Sequence, residues 1–269
     1  MLGNLKAAIK LINLIVWTGF WFILLTLAYK LKKWTFRDHV MRWASIGILK
    51  IIGIKVKVTG QPSDIRPLLL ASNHISYLDV VILNACDHIH FTPKSDIDSW
   101  PVARHIARMS GGVYIDRRAE KLPEGKDNII STLAEGNMVC LFPEGTTGNG
   151  LHMKPFKSGF FSLAEEKIHG HELTIQPIAI TYSAIRHLPI DTTQWPLVAW
   201  YGDMELLPHL WHVLKIAPID AEVVFLSSVT IHECGDRKKL AAHCQKVIGE
   251  AIQTIRGQRR HAHVKSTQK

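Results

Sequence analysis

The stretch LLLASNHISYLD at residues 68–79 determines the fold expected for this chain. It joins a continuous apolar run at residues 68–70 to a polar turn, and it places His74 and Asp79 five positions apart. A short apolar run bounded by turn residues is typical of a buried strand. Enzymes of the α/β class collect catalytic groups where such strands end. The stretch therefore predicts a strand that leads directly to a functional histidine.

Strand and helix patterns alternate through the rest of the chain. Residues 54–59 read IKVKVT, the period of two that is typical of a half-buried strand. Further apolar, β-branched runs occupy residues 68–70, 89–92, 113–115, 138–142, 174–182 and 222–226, and helical patterns occupy residues 126–134, 158–167 and 238–255. This alternation predicts an α/β fold in which helices cover most of the sheet.

The amino-terminal segment has the composition of a membrane helix. Residues 11–29, LINLIVWTGFWFILLTLAY, carry no charge and as a helix would match roughly the hydrocarbon thickness of a bilayer. No small-residue cleavage site follows the run, so we expect the segment to be retained. Lysines flank it on both sides, which suits anionic lipid head groups, at positions Lys6, Lys10, Lys30, Lys32 and Lys33.

A second stretch at residues 40–52 is amphipathic at helical spacing. Two arrangements remain open: a single transmembrane anchor followed by a globular domain, or a helical hairpin that enters one leaflet. We expect membrane-anchoring helices at residues 1–53 and a globular domain at residues 54–256. Residues 257–269, GQRRHAHVKSTQK, contain no acid and no apolar periodicity, so they are expected to form a basic, disordered tail.

Composition narrows the class of protein. The 269 residues are long enough to bury a sizeable core, and 47% hydrophobic with 20% charged residues is too polar for a multi-span transporter. The net charge of +9 favours anionic partners, namely nucleic acid, lipid head groups or phosphorylated substrates. No CxxC spacing indicates a zinc site or a disulfide scaffold, and free thiols are expected at Cys86, Cys140, Cys234 and Cys244.

The pair His74 and Asp79 suits general-base chemistry. A neutral imidazole can take a proton from a hydroxyl, and a carboxylate on its other nitrogen fixes the tautomer and stabilises the imidazolium. Five residues along a straight helix point about 140° apart, so the pair requires a turn between its members. Ser76 lacks the Gly-x-Ser-x-Gly context of a nucleophile and is expected to cap the following helix. Because about 0.7 such pairs would arise by chance, the surrounding motifs must supply the specificity.

Three further clusters carry chemistry or mark structure. Residues 111–118, GGVYIDRR, place two guanidinium groups after a short strand, an arrangement suited to binding phosphate. Residues 141–146, LFPEGT, end a buried strand at a proline and deliver Glu144 into a flexible turn, before a basic turn with Lys154 and Lys157. Residues 176–180, QPIAI, form a strand interrupted by proline, which indicates a packing or edge feature.

Taken in this order, the motifs resemble those of the glycerolipid acyltransferase family typified by 1-acylglycerol-3-phosphate O-acyltransferase. The family's His-x4-Asp motif, in the fuller form Asn-His-x-Ser-x-x-Asp, corresponds to Asn73, His74, Ser76 and Asp79. Its glycine-to-arginine block, its Phe-Pro-Glu-Gly-Thr block and its proline-centred block correspond to residues 112–117, residues 142–146 and Pro177. The resemblance covers residues 68 to about 181 and implies a mixed sheet covered by helices, with an amino-terminal membrane-associated helical segment.

The resemblance also implies roles for individual residues. His74, oriented by Asp79, would deprotonate the free hydroxyl of a lysolipid, which then attacks the thioester of acyl-CoA or acyl carrier protein without a metal or cofactor. Arg117 would contact the acceptor's phosphate, and Lys94 would add positive potential. The remaining residues implied to line the acceptor site are Asn73, Ser76, Glu144, Gly145 and Thr146.

Two features separate this chain from many family members. Many continue Glu-Gly-Thr with Arg-Ser, whereas this chain has Thr147 and Gly148, so Arg118, Lys154 or Lys157 would have to replace one phosphate-binding guanidinium. Residues 200–211 look like a feature of a bacterial subset that includes acyltransferases for lyso-ornithine lipid. The resemblance implies 1-acyl-sn-glycerol-3-phosphate as the expected acceptor, giving phosphatidic acid. The two departures keep lyso-ornithine lipid as the alternative.

An alternative hypothesis is a non-catalytic membrane adaptor whose basic surface binds anionic lipid or nucleic acid. Lipid binding, however, does not require a His/Asp pair. We therefore expect membrane lipids and the two substrates as partners, and no nucleic acid. The expected location is the bacterial inner membrane, with the catalytic domain on its cytoplasmic face.

Overall fold

The computed structural model describes residues 2–92, 109, 112 and 122–267. Its helices are α1 (Leu2–Lys30), α2 (Trp34–Ile52), α3 (Leu78–Cys86), α4 (Leu122–Ala134), α5 (Leu206–Ile216), α6 (Ile231–Cys234) and α7 (Arg237–Thr267). Its strands are β1 (Ile54–Thr59), β2 (Leu68–Ser72), β3 (His90–Phe91), β4 (Val139–Leu141), β5 (Lys167–Ile168), β6 (His171–Glu172), β7 (Thr174–Ile185), β8 (Leu188–Pro189) and β9 (Ile219–Phe225). Two short 3-10 helices cover Ser158–Glu165 and Trp195–Leu197.

A mixed sheet organises the described residues, as the sequence predicted. Its strand order is β1-β9-β7-β2-β4-β3, and β8 pairs with the end of β7. Strand β2 is parallel to both β4 and β7, whereas β9 runs antiparallel to β7. Because β2 and β4 are parallel neighbours, the turns that follow their carboxyl ends lie at one edge of the sheet. That edge receives the His74 turn and the Glu144 turn.

Helices cover both faces of the sheet. Alternate residues of β2 point to opposite sides, so Leu68 and Leu70 belong to one apolar cluster, and Leu69 and Ala71 belong to the other. The first cluster includes apolar residues of α3 and α5, and the second includes residues of α4 and α7. Burial on both sides explains why this strand is continuously apolar and does not alternate.

The proline-centred block lies in the interior of the sheet, which agrees with the packing alternative and not with the edge alternative. All twelve residues of β7 are buried, and Pro177 pairs with Ala71 of the neighbouring parallel strand β2. The missing N–H is tolerated because the antiparallel register with β9 begins one residue later, at Ile178. The Pro177 carbonyl still accepts a hydrogen bond from Leu226 N at 3.0 Å.

Helices α1 and α2 pack against each other as a helical hairpin. Gly47 lies against the Trp17 ring, whose Nε1 donates to the Ala44 carbonyl at 3.0 Å. Lys10 Nζ donates to the Ile52 carbonyl at 2.7 Å, so the start of α1 lies beside the end of α2. The segment Gly3–Lys30 is long and apolar enough to cross a membrane, and it contains an 18-residue window with a mean hydropathy of 2.1. Its exposed apolar side chains include Ile12, Ile15, Val16, Phe20 and Ile23.

Two expectations about the carboxyl-terminal half were wrong in detail. The helix expected at residues 158–167 is a 3-10 helix at Ser158–Glu165, which places Phe161 in the core. The disordered tail expected from residue 257 is instead helical, because α7 continues to Thr267. Arg259 holds this extension to the sheet through an ion pair of 2.8 Å with Glu222, which is 8% exposed. Arginine, glutamine and lysine also have good helix propensity.

Candidate active site

Asn73 fixes the turn that follows β2. Its side-chain amide donates to the Ile180 carbonyl at 2.9 Å and accepts from Ile180 N at 2.9 Å. The side chain therefore makes with β7 the two hydrogen bonds that a backbone residue of a strand would make. Asn73 was expected to line the acceptor site, and in the structure β7 engages both polar groups of its amide. This pairing ends β2 at a defined position and delivers His74 at the edge of the sheet.

His74 and Asp79 meet across this turn, as the five-residue spacing requires. Helix α3 begins at Leu78, so His74 lies before the helix and Asp79 in its first turn. His74 Nδ1 lies 2.9 Å from Asp79 Oδ2, and the carboxylate is fully buried. A carboxylate can only accept, so Nδ1 carries the proton and Nε2 is the nitrogen that can receive one.

The Asp79 carboxylate is saturated with hydrogen-bond donors. Besides His74, its Oδ2 accepts from the backbone N–H groups of Ile75 at 2.6 Å and Ser76 at 2.9 Å. Its Oδ1 accepts from the Tyr182 hydroxyl at 2.7 Å. Burial, followed by the Asp79 charge, raises the pKa of Tyr182 well above its usual range, so this phenol remains a donor. The sequence analysis missed Tyr182, because its position in β7 is remote from the turn.

Ser76 does not cap α3, which corrects that expectation. No side-chain hydrogen bond caps the helix, and the Asp79 carboxylate accepts the nearby backbone N–H groups instead. Ser76 is fully buried in this turn, and its carbonyl accepts from Asp79 N at 3.0 Å. The Asp79 carboxylate thus holds the backbone of the turn before the helix, at Ile75 and Ser76.

Glu144 ties the turn after β4 to the histidine turn. Its Oε1 accepts from His74 N at 2.8 Å, and its Oε2 accepts from Lys154 N at 2.7 Å. Burial raises the pKa of Glu144, although the two N–H donors and the charge of His74 act in the opposite direction. The carboxylate therefore cross-links the two turns and the basic segment, which brings three sequence motifs into one structure.

The rest of the Glu144 turn shapes the wall beside the histidine. The ring of Phe142 stacks on the His74 imidazole, with centroids 3.9 Å apart and an interplanar angle of 13°. Gly145 has φ +75°, a conformation that favours glycine, and a Cβ there would lie 2.9 Å from Lys157 Nζ. Thr146 is half-buried in the same turn. These contacts limit the orientation of the imidazole ring.

A cleft of about 590 Å³ opens beside His74. The residues of the histidine turn and the Glu144 turn that line it are Asn73, His74, Ile75 and Glu144, and further lining comes from residues 242–256 of α7. The α7 residues that line the cleft are Ala242, Gln245, Lys246, Gly249, Glu250, Ile252, Gln253 and Arg256. A hydroxyl held in this cleft can lie within reach of His74 Nε2, which suits proton abstraction at a bound alcohol.

Arg256 of α7 is the second residue that sequence reasoning missed. It follows Ile252 by four positions and so lies on the face of α7 that packs against the core, where a charged residue is unusual. A charged residue on an apolar helical face was the signal available in the sequence. Burial, and the nearby Arg260, lower the pKa of Arg256 to about 10.

Several predicted residues stand elsewhere or lie outside the described part. Lys94 and Arg117 are outside the described residues, as is most of the glycine-to-arginine block. Lys154 Nζ donates to the Thr147 carbonyl at 3.0 Å, and Gly148 N donates to the His74 carbonyl at 2.8 Å. The departure from the family pattern at residues 147 and 148 therefore lies directly against the histidine turn.

Residues 200–211 also contact the histidine turn. Trp200 N donates to the Ile75 carbonyl at 3.0 Å, and the Trp200 ring meets Tyr77 edge-on at 5.8 Å. The Tyr77 hydroxyl lies 3.2 Å from His209 Nδ1 on α5. Within the described residues, no group of three or more His, Cys, Asp or Glu side chains is placed to hold a metal ion. The four cysteines are free, and burial raises the pKa of the Cys140 thiol far above its usual range.

Sequence comparisons agree with these motifs. The family model described as Acyltransferase matches residues 55–181. A lyso-ornithine lipid O-acyltransferase of Rhizobium meliloti (strain 1021) is 31% identical over 249 residues, which cover 91% of this chain and 82% of that protein. A 1-acyl-sn-glycerol-3-phosphate acyltransferase of Neisseria meningitidis serogroup B is 28% identical over 209 residues, or 77% of this chain and 78% of that protein.

A solved structure shares the fold. The crystal structure of the 1-acyl-sn-glycerophosphate acyltransferase PlsC from Thermotoga maritima matches with a TM-score of 0.61. The match covers 91% of this chain and 97% of that one at 14% sequence identity. At this identity the match supports the mixed sheet and its helical cover, and it leaves the acceptor undetermined.

Proposed function

The chain belongs to the glycerolipid acyltransferase family and is a lysolipid O-acyltransferase, and on that premise we propose that His74 is its general base and lyso-ornithine lipid its acceptor. The observation that carries the base assignment is the 2.9 Å contact between His74 Nδ1 and Asp79 Oδ2 in the wall of the cleft. The contact presents Nε2 as the proton acceptor, and the stacked Phe142 ring restricts the imidazole.

The proposed reaction is direct acyl transfer. His74 Nε2 takes the proton of the acceptor's hydroxyl as its oxygen attacks the thioester carbonyl of acyl-CoA or acyl carrier protein. Asp79 stabilises the imidazolium that forms. The tetrahedral intermediate then collapses, the C–S bond breaks, and the imidazolium returns the proton to the leaving sulfur. The products are an ester and a free thiol, so atoms and charge balance without a cofactor.

Three observations favour lyso-ornithine lipid as the acceptor. The Rhizobium relative of that name has the higher identity and the wider coverage of the two relatives described above. Thr147 stands where many family members carry a phosphate-binding arginine, so one contact expected for a phosphate acceptor is missing. Residues 200–211, which look like a feature of that bacterial subset, pack against the histidine turn.

Lysophosphatidic acid is the second candidate acceptor. The Neisseria relative of that activity is 28% identical over most of this chain, and the block that ends at Arg117 matches the family's phosphate-binding pattern. With either acceptor, we propose that the α1–α2 hairpin holds the enzyme at the bacterial inner membrane, with the cleft on the cytoplasmic side. The apolar surface of α1 supports the membrane association.

The deciding experiment is acyl transfer by the purified protein in detergent. Lyso-ornithine lipid and lysophosphatidic acid are offered side by side, each with labelled acyl-CoA and with labelled acyl carrier protein. We expect product from lyso-ornithine lipid, and a fall in kcat of about 100-fold or more for His74→Ala. His212→Ala is the matched control, because His212 is exposed on α5. Product from lysophosphatidic acid alone would contradict the proposed acceptor, and full turnover by His74→Ala would contradict the proposed base.

A further inference from the structure

Arg256 holds a cationic group in the cleft without a carboxylate partner. Among the described residues, no acidic side chain lies within ion-pair distance of its guanidinium. The contrast is Arg259, one turn further along α7, which pairs with Glu222 at 2.8 Å and with Asp220 at 3.7 Å. A half-buried cation without a counterion is costly, since burial disfavours the charged form.

The contacts of Arg256 hold the guanidinium in place and leave its charge uncompensated. Its Nη atoms donate to the carbonyls of Gly150 and Leu151 and to the Thr181 hydroxyl. Its Cζ lies over the Trp195 ring, 4.4 Å from the centroid. Its Nε is buried and has no partner within the described part of the chain. Neutral acceptors and an aromatic face orient an arginine, but they cannot neutralise it.

The other charged side chains of the cleft already have partners. Glu144 accepts two backbone N–H groups, and Lys246 lies 3.9 Å from Glu250 on the rim. Of the Lys and Arg side chains that line the cleft within the described residues, Arg256 is therefore the one without an acidic partner, and it shares the cleft with the proposed base His74. An anion that enters the cleft would meet this charge.

We propose that Arg256 anchors the anionic group of the acceptor's head group while the acceptor's hydroxyl lies at His74. This inference rests on the proposed function. For lyso-ornithine lipid the anion is the ornithine carboxylate, and for lysophosphatidic acid it is the phosphate, so the two acceptors share one recognition chemistry. Arg256 then compensates for the arginine that is absent at position 147, from a different element of the fold.

The test measures binding without an acyl donor, so that no reaction occurs. Calorimetric titration in detergent compares lyso-ornithine lipid, its carboxyl methyl ester and lysophosphatidic acid, for the wild type and for Arg256→Gln. We expect Arg256→Gln to weaken binding of lyso-ornithine lipid about tenfold or more, the usual effect of removing a charged hydrogen bond. The methyl ester should bind both proteins equally and about as weakly as the acid binds the variant.

Two further variants keep the test decisive. Arg260→Gln removes a neighbouring exposed charge on α7 and should bind like the wild type. Arg256→Lys keeps the charge without the planar guanidinium and should bind the acid with intermediate affinity. This variant replaces Arg256→Gln in the test if Arg256→Gln does not fold. Equal binding of acid and ester by the wild type, together with unchanged lysophosphatidic acid binding in Arg256→Gln, would overturn the inference.

The outcomes separate this inference from the proposed function. Binding of lysophosphatidic acid alone that depends on Arg256 supports the anchor and assigns it to phosphate. Binding that depends on Arg256, with no acyl transfer to either acceptor, supports the anchor and contradicts the proposed function. Normal acyl transfer, with binding that is independent of Arg256, supports the proposed function and contradicts the anchor.

Discussion

The Tyr182 hydroxyl donates a 2.7 Å hydrogen bond to Oδ1 of Asp79, a residue 103 positions away in the chain. The other oxygen of the same carboxylate accepts from His74 Nδ1. A central strand of the sheet therefore supports the orientation of the proposed base through one buried carboxylate. Since the carboxylate is fully buried, loss of the Tyr182 hydroxyl would leave Oδ1 without this donor and without water to replace it.

Tyr182→Phe should remove the donor at Oδ1 while preserving the ring in the core. We expect kcat to fall several-fold with KM for the acceptor unchanged, because a less constrained Asp79 orients His74 less well. The free energy of unfolding should fall by about 1–3 kcal/mol, as for loss of a hydrogen bond to a charged group. Steady-state kinetics and urea unfolding in detergent measure the two effects.

Tyr77→Phe is the matched control for that variant. The Tyr77 hydroxyl contacts His209 on α5 at 3.2 Å, away from the carboxylate. The same chemical deletion there should leave kcat within about twofold of the wild type. Equal losses of kcat in the two variants would mean that Tyr182 acts only through general stability.

Asp79→Asn should impair both catalysis and folding. An amide has one acceptor oxygen, so it cannot accept from His74, Tyr182 and the two backbone N–H groups that the carboxylate binds. We expect kcat to fall by about 100-fold or more. The double variant with His74→Ala should be no slower than His74→Ala alone, because the two residues act as one unit. Multiplicative losses in the double variant would contradict that coupling.

Glu144→Gln should change how stability depends on pH. Burial raises the pKa of Glu144 above its ordinary value of 4.5, so the folded protein binds this proton more readily than the unfolded chain does. The contribution of Glu144 to stability is therefore greatest at low pH and declines as pH rises through the raised pKa. Urea unfolding at several pH values from 4.5 to 7 should show the wild type losing stability relative to the variant. A constant difference across this range would contradict the prediction.

Gly47→Ala should destabilise the amino-terminal hairpin. A Cβ at position 47 would lie 2.1 Å from the Trp17 ring, so the two helices would have to move apart. We expect the variant to lose about 1–3 kcal/mol of stability, the usual cost of overpacking. Gly19→Ala on α1 is the control, since nothing lies within 4 Å of its added Cβ. Thermal unfolding in detergent should show a lower midpoint for Gly47→Ala and an unchanged midpoint for Gly19→Ala.

Local sequence patterns determined the class of fold and the first half of the site. The apolar run at residues 68–70 predicted β2, because continuous apolar residues are needed where both faces of a strand are buried. His74 and Asp79 were identified because a turn and the first turn of a helix bring groups five residues apart together. The uncharged segment at residues 11–29 likewise identified α1, since length and hydropathy are properties of the sequence alone.

Only the tertiary structure decided the contacts that join distant segments. The registers of β2 with β4 and β7 bring Glu144 to His74 N and Tyr182 to Asp79, and no local pattern encodes either distance. The sequence left a packing and an edge position open for Pro177, and the start of the β9 register makes the proline tolerable in a central strand. Helix α7 extends over the expected tail because Arg259 finds Glu222 on β9, and its packing places Arg256 in the cleft. Such placements depend on long-range packing, whereas periodicity reports only which face of an element is apolar.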